Sequence, residues 1–245
     1  MAAVMEAGEA ASVEDQGEVY RRDGFLVVRQ LYGPEEMAAW KARVQAILQA
    51  EGSVDNPSGV RVWMVDRLDP YLRERMRDDH VAQILMRVIG PEVEFLSVKA
   101  VYKNAQTSFA SPWHQDWFYW SGAHKLSVWI ALDDATPENG CLRLIPGSHR
   151  RAFEMRQVDD GHGFGRRIGE EMLKDLPAVT VPARRGDAVF FHDLTVHGSH
   201  PNASGADRWC FISTYRDASV RDESTVWKVP MLVSGASVNG AQVFA

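Results

Sequence analysis

Two short segments carry residue types that could bind one metal ion. The first, PWHQD at 112–116, places His114 and Asp116 two positions apart. In an extended strand such positions point to the same side, so both side chains could reach the same ion. The second segment, FHDLTVHGS at 191–199, offers histidines for a third ligand. Two imidazoles and one carboxylate on one face of a metal, with its other positions open, are typical of non-haem Fe(II) oxygenases.

An arginine follows the second segment at a spacing that could return it to the same cavity. Arg208 opens a predicted strand eleven residues after His197, beyond a turn-forming stretch. A buried guanidinium requires an anionic partner, because an unpaired charge is costly in a low-dielectric site. A dicarboxylate bound through a bidentate fork would supply that partner. The structural alternative is an ion pair with Asp207 or Asp217.

An uninterrupted aromatic run follows the first segment and comprises Trp117, Phe118, Tyr119 and Trp120. Packing in the walls of a β-barrel explains part of this enrichment. Strand alternation cannot bury four consecutive rings on one face, so some of them must face the mouth of the barrel. The run therefore predicts a substrate pocket for a molecule with a sizeable apolar body.

The spacing of apolar residues predicts the scaffold that positions these side chains, with helices in the N-terminal third of the chain and strands after them. A helical flank over about 13–90 contains helices at 13–22, 34–52 and 70–89, a strand at 25–29 and a loop at 54–69. The helix from Pro34 is the clearest, with proline and acidic residues in its first turn and apolar residues at helical spacing.

From position 92 onward, short β-rich runs alternate with turn signals and no ten-residue helix separates them. The runs cover 92–102, 112–120, 125–133, 141–145, 178–181, 187–191 and 208–215. This order favours an antiparallel sandwich or barrel over a doubly wound sheet. We expect a single domain over 1–245, with a β core over about 92–216 and a C-terminal tail at 217–245 whose role the sequence leaves open.

The composition indicates a folded protein without nucleic-acid or membrane partners. Of the 245 residues 45% are hydrophobic, and the net charge of −6 argues against a basic binding face. No apolar run reaches the roughly 20 residues of a membrane span, and the acidic start of the chain does not resemble a secretory signal. Cys141 and Cys210 lie in apolar runs and are expected to be buried thiols. These features predict a cytoplasmic protein and leave its oligomeric state unknown.

The motifs together resemble the phytanoyl-CoA dioxygenase family of Fe(II)- and 2-oxoglutarate-dependent oxygenases. The resemblance rests on HQD at 114–116, NGCLRLIPGSH at 139–149 and HGSxxNxSxxxR at 197–208. It extends loosely from RRDGFLVV at 21–28 to about Tyr215. It implies a mainly β fold with flanking N-terminal helices and a double-stranded β-helix, or jelly-roll, core of the cupin type. It also implies Fe(II), 2-oxoglutarate as cosubstrate, and O₂.

The resemblance further implies a role for each matching residue. His114, Asp116 and His197 would bind the iron. Arg208 would pair with the distal carboxylate of 2-oxoglutarate, and Ser199 would add a hydroxyl to the same carboxylate. Because Asp116 is present, the site does not resemble the related halogenases, which have a small residue at that position.

Two further residues are expected near the cosubstrate. Trp129 occupies the family's tryptophan position and would line the cosubstrate pocket. Strand alternation supports this independently, since Leu126, Val128 and Ile130 share one face and Trp129 lies on the other. Lys103, before the HQD motif, is similar to a strand-end lysine of the family near the cosubstrate.

The implied activity is oxidation of a C–H bond in a small, partly apolar molecule, with release of succinate and CO₂. Hydroxylation is the default outcome, while ring closure, desaturation or epimerisation would use the same ligands. A catalytically silent jelly-roll sensor that binds metal and 2-oxoglutarate is the alternative from another class. The aromatic run at 117–120 and the loop at 151–176 are expected to form the entrance above the iron.

Overall fold

The protein is described here by a computed structural model that covers residues 3–4, 15–52, 58–158 and 164–244. Its α-helices are α1 (Gln16–Asp23), α2 (Pro34–Ala50), α3 (Pro70–Arg75), α4 (Asp79–Val88) and α5 (Trp117–Trp120). Its strands are β1 (Ala3–Val4), β2 (Phe25–Val28), β3 (Val60–Met64), β4 (Val93–Lys103), β5 (Lys125–Ala131), β6 (Leu142–Leu144), β7 (Arg156–Gln157), β8 (Arg166–Arg167), β9 (Val179–Val181), β10 (Ala188–His192), β11 (His197–Ser199), β12 (Arg208–Asp217) and β13 (Met231–Ser234).

A large antiparallel sheet and a smaller sheet form the body of the molecule. The large sheet has the strand order β13, β4, β12, β5, β10, β2. The strand β3 also pairs with β4, along residues 97–101, where β13 does not reach. The smaller sheet has the order β1, β9, β6, β11, in which β1 runs parallel to β9. The strands β4 and β12 form the longest ladder, from Arg208 beside Lys103 to Asp217 beside Val93.

Alternation along β5 shows how the sheet separates two hydrophobic clusters. Leu126, Val128 and Ile130 belong to the cluster that contains the apolar face of α2. Trp129 and Ala131 point the other way, into the cluster between the two sheets. Two stacked β layers with helices on one outer face make a mainly β jelly-roll, so the predicted fold class and the predicted alternation of β5 are confirmed.

The loop predicted at 54–69 is wrong for most of its length. The strand β3 and a 3₁₀ turn at 65–67 occupy this stretch, while 54–57 lie outside the described residues. The sequence VRVWM shows no clear alternation of burial, and its strand conformation comes from pairing with the edge of β4. The strand conformation of β3 depends on pairing with β4, which is distant in sequence, and the local pattern of residues does not reveal such pairing.

The helix predicted at 70–89 is divided in two. The helix α3 ends at Arg75, and Asp78 starts α4 by accepting a hydrogen bond from the amide of Val81 at 3.1 Å. Such a cap satisfies a free amide at the helix start and favours a new helix over continuation of the old one. The first predicted helix, at 13–22, is found as α1, and its residues 13–14 lie outside the described part of the chain.

The C-terminal tail is joined to the sheet by a buried group of charges. Arg216 forms ion pairs with Glu94 at 2.7 Å and with Asp222 at 2.6 Å, and Lys125 pairs with Asp222 at 2.9 Å. The side chains of Arg216, Glu94, Asp222 and Lys125 are almost fully buried, so loss of one partner would leave a buried charge without a counter-ion. Together with β13, this group holds the chain so that Trp227 packs against Trp120 and Leu96.

Two further predictions concern the cysteines and helices that could span a membrane. Cys141 and Cys210 are both free thiols, buried in the cluster between the sheets, as predicted. Within the described part of the chain, none of the helices has the length and apolar character that crossing a bilayer requires.

Candidate active site

His114, Asp116 and His197 lie together at one end of the space between the sheets. The Nε2 atoms of His114 and His197 are 3.6 Å and 3.8 Å from Oδ1 of Asp116. Backbone hydrogen bonds of 3.0 Å in both directions join His114 to His197, so the two imidazoles come from paired chain segments. All three side chains are buried, and their ligand atoms lie within 4.8 Å of one another. One metal ion could therefore be bound by all three.

The hydrogen bonds around the two imidazoles leave the correct nitrogens available. Nδ1 of His114 lies 2.8 Å from the carbonyl oxygen of Pro112, and Nδ1 of His197 lies 2.9 Å from that of Thr195. A carbonyl only accepts, so each Nδ1 carries the proton and each Nε2 presents a lone pair towards Asp116. Bonds of this type fix the tautomer and ring orientation of metal-binding histidines.

The protonation states also suit a metal. Burial, reinforced by the neighbouring His114, lowers the pKa of His197 to about 4, so its imidazole is neutral at physiological pH. Burial alone would raise the pKa of Asp116, but Lys99 and the two histidines outweigh it and hold that pKa well below its usual range. Ser127 also donates a hydrogen bond of 3.2 Å to Oδ2 of Asp116. A neutral imidazole and an ionised carboxylate are the forms in which these ligands bind metals.

The convergence of His114 and Asp116 has a different cause from the one predicted. The strand predicted at 112–120 is wrong, since His114 forms only an isolated bridge and α5 starts after Asp116, which itself has helical dihedral angles. The turn between the two ligands is fixed by the buried Gln115, whose amide nitrogen donates to the carbonyls of Arg151 and Leu194. Local hydrogen bonding, rather than alternation, brings the ligands together.

A cavity of about 520 Å³ opens beside these three residues. Of the aromatic run, Tyr119 and Trp120 line it, while Trp117 and Phe118 are not among its lining residues. The run forms the helical turn α5, so consecutive rings point in different directions instead of alternating across a sheet. Phe164 comes from the predicted entrance loop at 151–176, and its ring lies 5.3 Å from that of His114.

Arg208 lies in this cavity without a carboxylate partner among the described residues. It is 2% exposed, and it donates to the carbonyl of Gly140 and to Sγ of Cys210, each at 3.0 Å. Its Nε is buried and has no hydrogen-bond partner in the structure. Neither Asp207 nor Asp217 forms an ion pair with it, although that was the structural alternative. A buried guanidinium with an unused donor fits an anionic ligand.

Of the remaining residues expected near the cosubstrate, Trp129 and Ser199 line the cavity and Lys103 does not. Trp129 lines the cavity with its ring below the guanidinium of Arg208, at 5.9 Å. Ser199 lines it too, and its hydroxyl donates to the hydroxyl of Ser111 at 2.9 Å. Lys103 is buried outside the cavity lining, where its ammonium donates to the carbonyl of Phe109. Burial and the nearby Arg208 lower the pKa of Lys103 to about 7.

Several lining residues were missed by the sequence reasoning. They come from β3, β4 and the C-terminal tail and include Val60, Val62, Met64, Lys99, Val226 and Trp227. A signal existed for Lys99, because it is a charged residue inside a long apolar strand. The others belong to segments that were predicted as a loop or left unassigned.

A second group of two histidines and an aspartate lies outside the cavity. His124, His192 and Asp193 also offer ligand atoms within 4.8 Å of one another. Asp193 is fully buried, whereas the side chain of His124 is 55% exposed. Oδ1 of Asp193 lies 2.9 Å from Nδ1 of His124, and Oδ2 accepts from the amide of Lys125 at 2.8 Å and from the indole of Trp120 at 3.2 Å.

Comparison with known structures places this fold and site in a defined class. The solved α-ketoglutarate-dependent epimerase SnoN from nogalamycin biosynthesis, in complex with Fe³⁺, α-ketoglutarate and nogalamycin RO, is 26% identical, with a TM-score of 0.70 over 85% of this chain and 84% of that one. The non-haem monooxygenase ThoJ has the same fold, with a TM-score of 0.74 at 22% identity over 93% of this chain and 86% of that one. Fold and site together define a non-haem iron, 2-oxoglutarate-dependent oxygenase.

Sequence comparison gives the family. The model of the family described as phytanoyl-CoA dioxygenase matches residues 20–210. Ectoine dioxygenase of Bordetella parapertussis is 30% identical over 217 residues, which is 78% of this chain and 70% of that protein. Phytanoyl-CoA dioxygenase domain-containing protein 1 of Mus musculus is 34% identical over 171 residues, 65% of this chain and 56% of that protein. The chain belongs to the phytanoyl-CoA dioxygenase family, so the predicted family, enzyme class and cofactors are confirmed.

Proposed function

We propose that the protein hydroxylates an unactivated C–H bond of a small, partly apolar organic molecule. In the overall reaction the substrate, 2-oxoglutarate and O₂ give the hydroxylated product, succinate and CO₂. Iron and 2-oxoglutarate, when bound, supply the oxidising chemistry. The observation that supports this assignment most strongly is the buried group of His114, Asp116 and His197, with its free Nε2 atoms, beside a largely apolar cavity.

The chain's own residues would perform three tasks. His114, Asp116 and His197 would hold the iron and leave its remaining positions open. Arg208, through its unused Nε, would bind the distal carboxylate of the cosubstrate, with Ser199 adding a hydroxyl and Trp129 forming the pocket wall. Lys103 is the weakest candidate of the set, because it lies behind the cavity lining and contacts backbone oxygen.

The cavity wall would select the substrate. Its aromatic and aliphatic lining favours an apolar body and keeps water from the reacting carbon. Tyr119 and Trp120 are the parts of the aromatic run that could touch such a molecule, whereas Trp117 and Phe118 would support α5 from outside. The hydroxyl of Tyr119 lies 3.2 Å from the carbonyl of Arg166, so the entrance loop and α5 would close over the substrate together.

The likeness to the epimerase SnoN makes epimerisation the second candidate reaction. Both reactions start from the same ligands, so the products must separate them. A panel of small organic molecules would be incubated with protein, Fe(II), 2-oxoglutarate and air. Succinate release that rises with a panel member, with a product heavier by one oxygen, supports hydroxylation. A product of unchanged mass supports epimerisation, and no consumption of 2-oxoglutarate under any condition would favour the silent sensor.

We also propose a cytoplasmic location and no nucleic-acid partner. Two buried free thiols suit a reducing compartment, and the net charge of −6 disfavours binding to a phosphate backbone. Cell fractionation and a gel-shift assay with duplex DNA would test these two statements.

A further inference from the structure

Lys99 is a cation in the cavity to which the proposed reaction gives no task. It lies on β4, where Ser97, Lys99 and Val101 face the cavity and Val98 and Ala100 face the helix-covered core. Its neighbours across the sheet are Val62 on β3 and Ile212 on β12, and both are apolar. The ammonium therefore projects from an apolar wall into the space beside the metal-binding residues.

The charge of Lys99 has no fixed counter-ion in the described structure. Its ammonium lies 5.5 Å above the ring of Trp120, and the ion pairs of the described residues do not include it. Lys99 helps to lower the pKa of Asp116, so the two charges interact across the cavity. Once Asp116 binds a metal, that carboxylate is neutralised by the ion, which leaves the half-buried Lys99 without a counter-ion in a largely apolar cavity.

Lys99 and Arg208 occupy separate positions along the strands that line the cavity. Arg208 pairs with Lys103 in the β4–β12 ladder, whereas Lys99 pairs with Ile212. Four residues of strand separate the two positions, which corresponds to about 13 Å between the backbone sites. The wall near Lys99 is built from β3, Trp120 and Trp227, where the indole of Trp227 donates to Ser97 at 3.0 Å. If Arg208 binds the cosubstrate as proposed, the part of the cavity beside Lys99 is available to the substrate.

We propose that Lys99 is a specificity-determining residue that binds an anionic oxygen group of the substrate. The substrate would then be a small molecule with an apolar body, held against Trp120, Trp227 and β3, and one carboxylate or phosphonate group paired with the ammonium. The pair would form in a low-dielectric setting and orient the apolar body towards the metal. This inference rests on the proposed function, because it assigns a substrate class to the same site.

The test measures binding of matched probes rather than turnover. Phenylacetate, phenylbutyrate and phenylhexanoate are each compared with the primary amide of the same length, and phenylethylphosphonate is added as a second anion. Protein loaded with Fe(II) and 2-oxoglutarate under argon is titrated, and the shift of the visible band of the iron–2-oxoglutarate complex reports binding. The band itself shows that the metal and cosubstrate are in place, so its absence in the wild type would count against the proposed function and not against Lys99 alone.

The variants are Lys99→Met, Lys99→Arg and, as a control for loss of a positive charge far from the cavity, the exposed Arg21→Met on α1. We expect at least one anion to bind the wild type about tenfold or more tightly than its amide, a difference of about 1.4 kcal/mol. In Lys99→Met the ratio should fall to about one, while Lys99→Arg should retain most of the wild-type ratio and Arg21→Met all of it. A phosphonate that binds more tightly than the carboxylates would narrow the substrate to that anion.

Three results would overturn the assignment. The first is an equal affinity of the wild type for acid and amide, or binding of neither while the band is present. The second is a preference for the acid that persists in Lys99→Met. The third is a loss of 2-oxoglutarate affinity in Lys99→Met with no change in probe preference, which would make Lys99 a cosubstrate residue.

Discussion

Two groups of two histidines and an aspartate occur in this molecule, and they differ in what their ligand atoms already bind. In the cavity, the Nδ1 atoms of His114 and His197 are occupied by backbone carbonyls, and their Nε2 atoms converge on Asp116. In the second group, both oxygens of Asp193 already accept hydrogen bonds from protein donors. We therefore expect a metal ion at the cavity group and not at the second group, because only the cavity group has lone pairs that no protein donor already uses.

The second group has a structural task that explains its composition. Asp193 accepts from the indole of Trp120, and its carbonyl accepts from the amide of Trp117 at 3.1 Å. It thereby holds α5, which begins next to Asp116. His124 adds a further donor to the buried carboxylate, whose charge would otherwise be costly.

The largest expected difference between the two groups is in metal affinity. His114→Ala should reduce Fe(II) binding to below detection, because it removes one of three protein ligands. Loss of a residue that merely supports a ligand already costs about 10- to 100-fold. The matched variant His124→Ala should keep the wild-type stoichiometry. Equilibrium dialysis under argon measures both, and loss of binding in His124→Ala with retention in His114→Ala would reverse the comparison.

The second largest effect concerns the anion site that only the cavity group has beside it. Arg208→Ala should weaken 2-oxoglutarate binding by roughly two to four powers of ten, since breaking a buried charge pair costs about 3–5 kcal/mol. Arg208→Lys should recover only part of this, because an ammonium lacks the planar fork. The KM for 2-oxoglutarate and the melting temperature are measured together. A variant that melts earlier but keeps the wild-type KM would make Arg208 a purely structural residue.

A smaller effect tests the structural task of Asp193. Asp193→Asn should lower the free energy of unfolding by about 1–3 kcal/mol, because the amide leaves some of the buried donors without an acceptor. The exposed Asp175→Asn provides the matched control and should change stability little. Urea unfolding measures both proteins. Equal free energies of unfolding for the two variants would show that Asp193 does not stabilise α5.

The remaining effect is a pH dependence of stability carried by His192, which is small near neutral pH and grows as the pH falls. Burial lowers its pKa to about 4, while the unfolded imidazole titrates near its ordinary value of about 6.5. Between these values the unfolded chain binds more protons, so the folded state loses stability as the pH falls from 6.5 towards 4. The loss is at most about 1.4 kcal/mol for each pH unit.

His192→Gln should therefore flatten this part of the stability curve in the metal-free protein. His197 has a similarly lowered pKa and contributes to both curves alike, so the difference between wild type and variant reports His192. Chemical unfolding at a series of pH values provides the measurement. Identical slopes for the two proteins would show that His192 is protonated equally in the folded and unfolded states.

Much of the fold and the three residues of the candidate metal site could be predicted because their signals are local. The apolar spacing after Pro34 predicts α2, and the alternation from Leu126 to Ile130 predicts the two faces of β5. The HQD motif brings two side chains of suitable chemistry within reach of one ion in either backbone conformation, so the pair was found although the predicted strand was wrong.

The rest of the cavity depends on contacts between segments far apart in the chain. The strand β3 exists because β4 has a free edge, and Trp227 reaches the cavity because the pairs of Arg216 and Lys125 with Asp222 hold the tail. The run from Trp117 to Trp120 turns into a helix because Asp193, more than seventy residues later, holds both ends of it. Such partners leave no periodic pattern in the sequence.

The absorption spectrum of the anaerobic protein with Fe(II) and 2-oxoglutarate tests the central claim most directly. His197 and His192 lie five residues apart, and each belongs to one of the two groups. We expect the weak visible band of the iron–2-oxoglutarate complex in the wild type and in His192→Ala, and its loss in His197→Ala. A band that survives in His197→Ala and disappears in His192→Ala would contradict the assignment of the cavity group as the iron site.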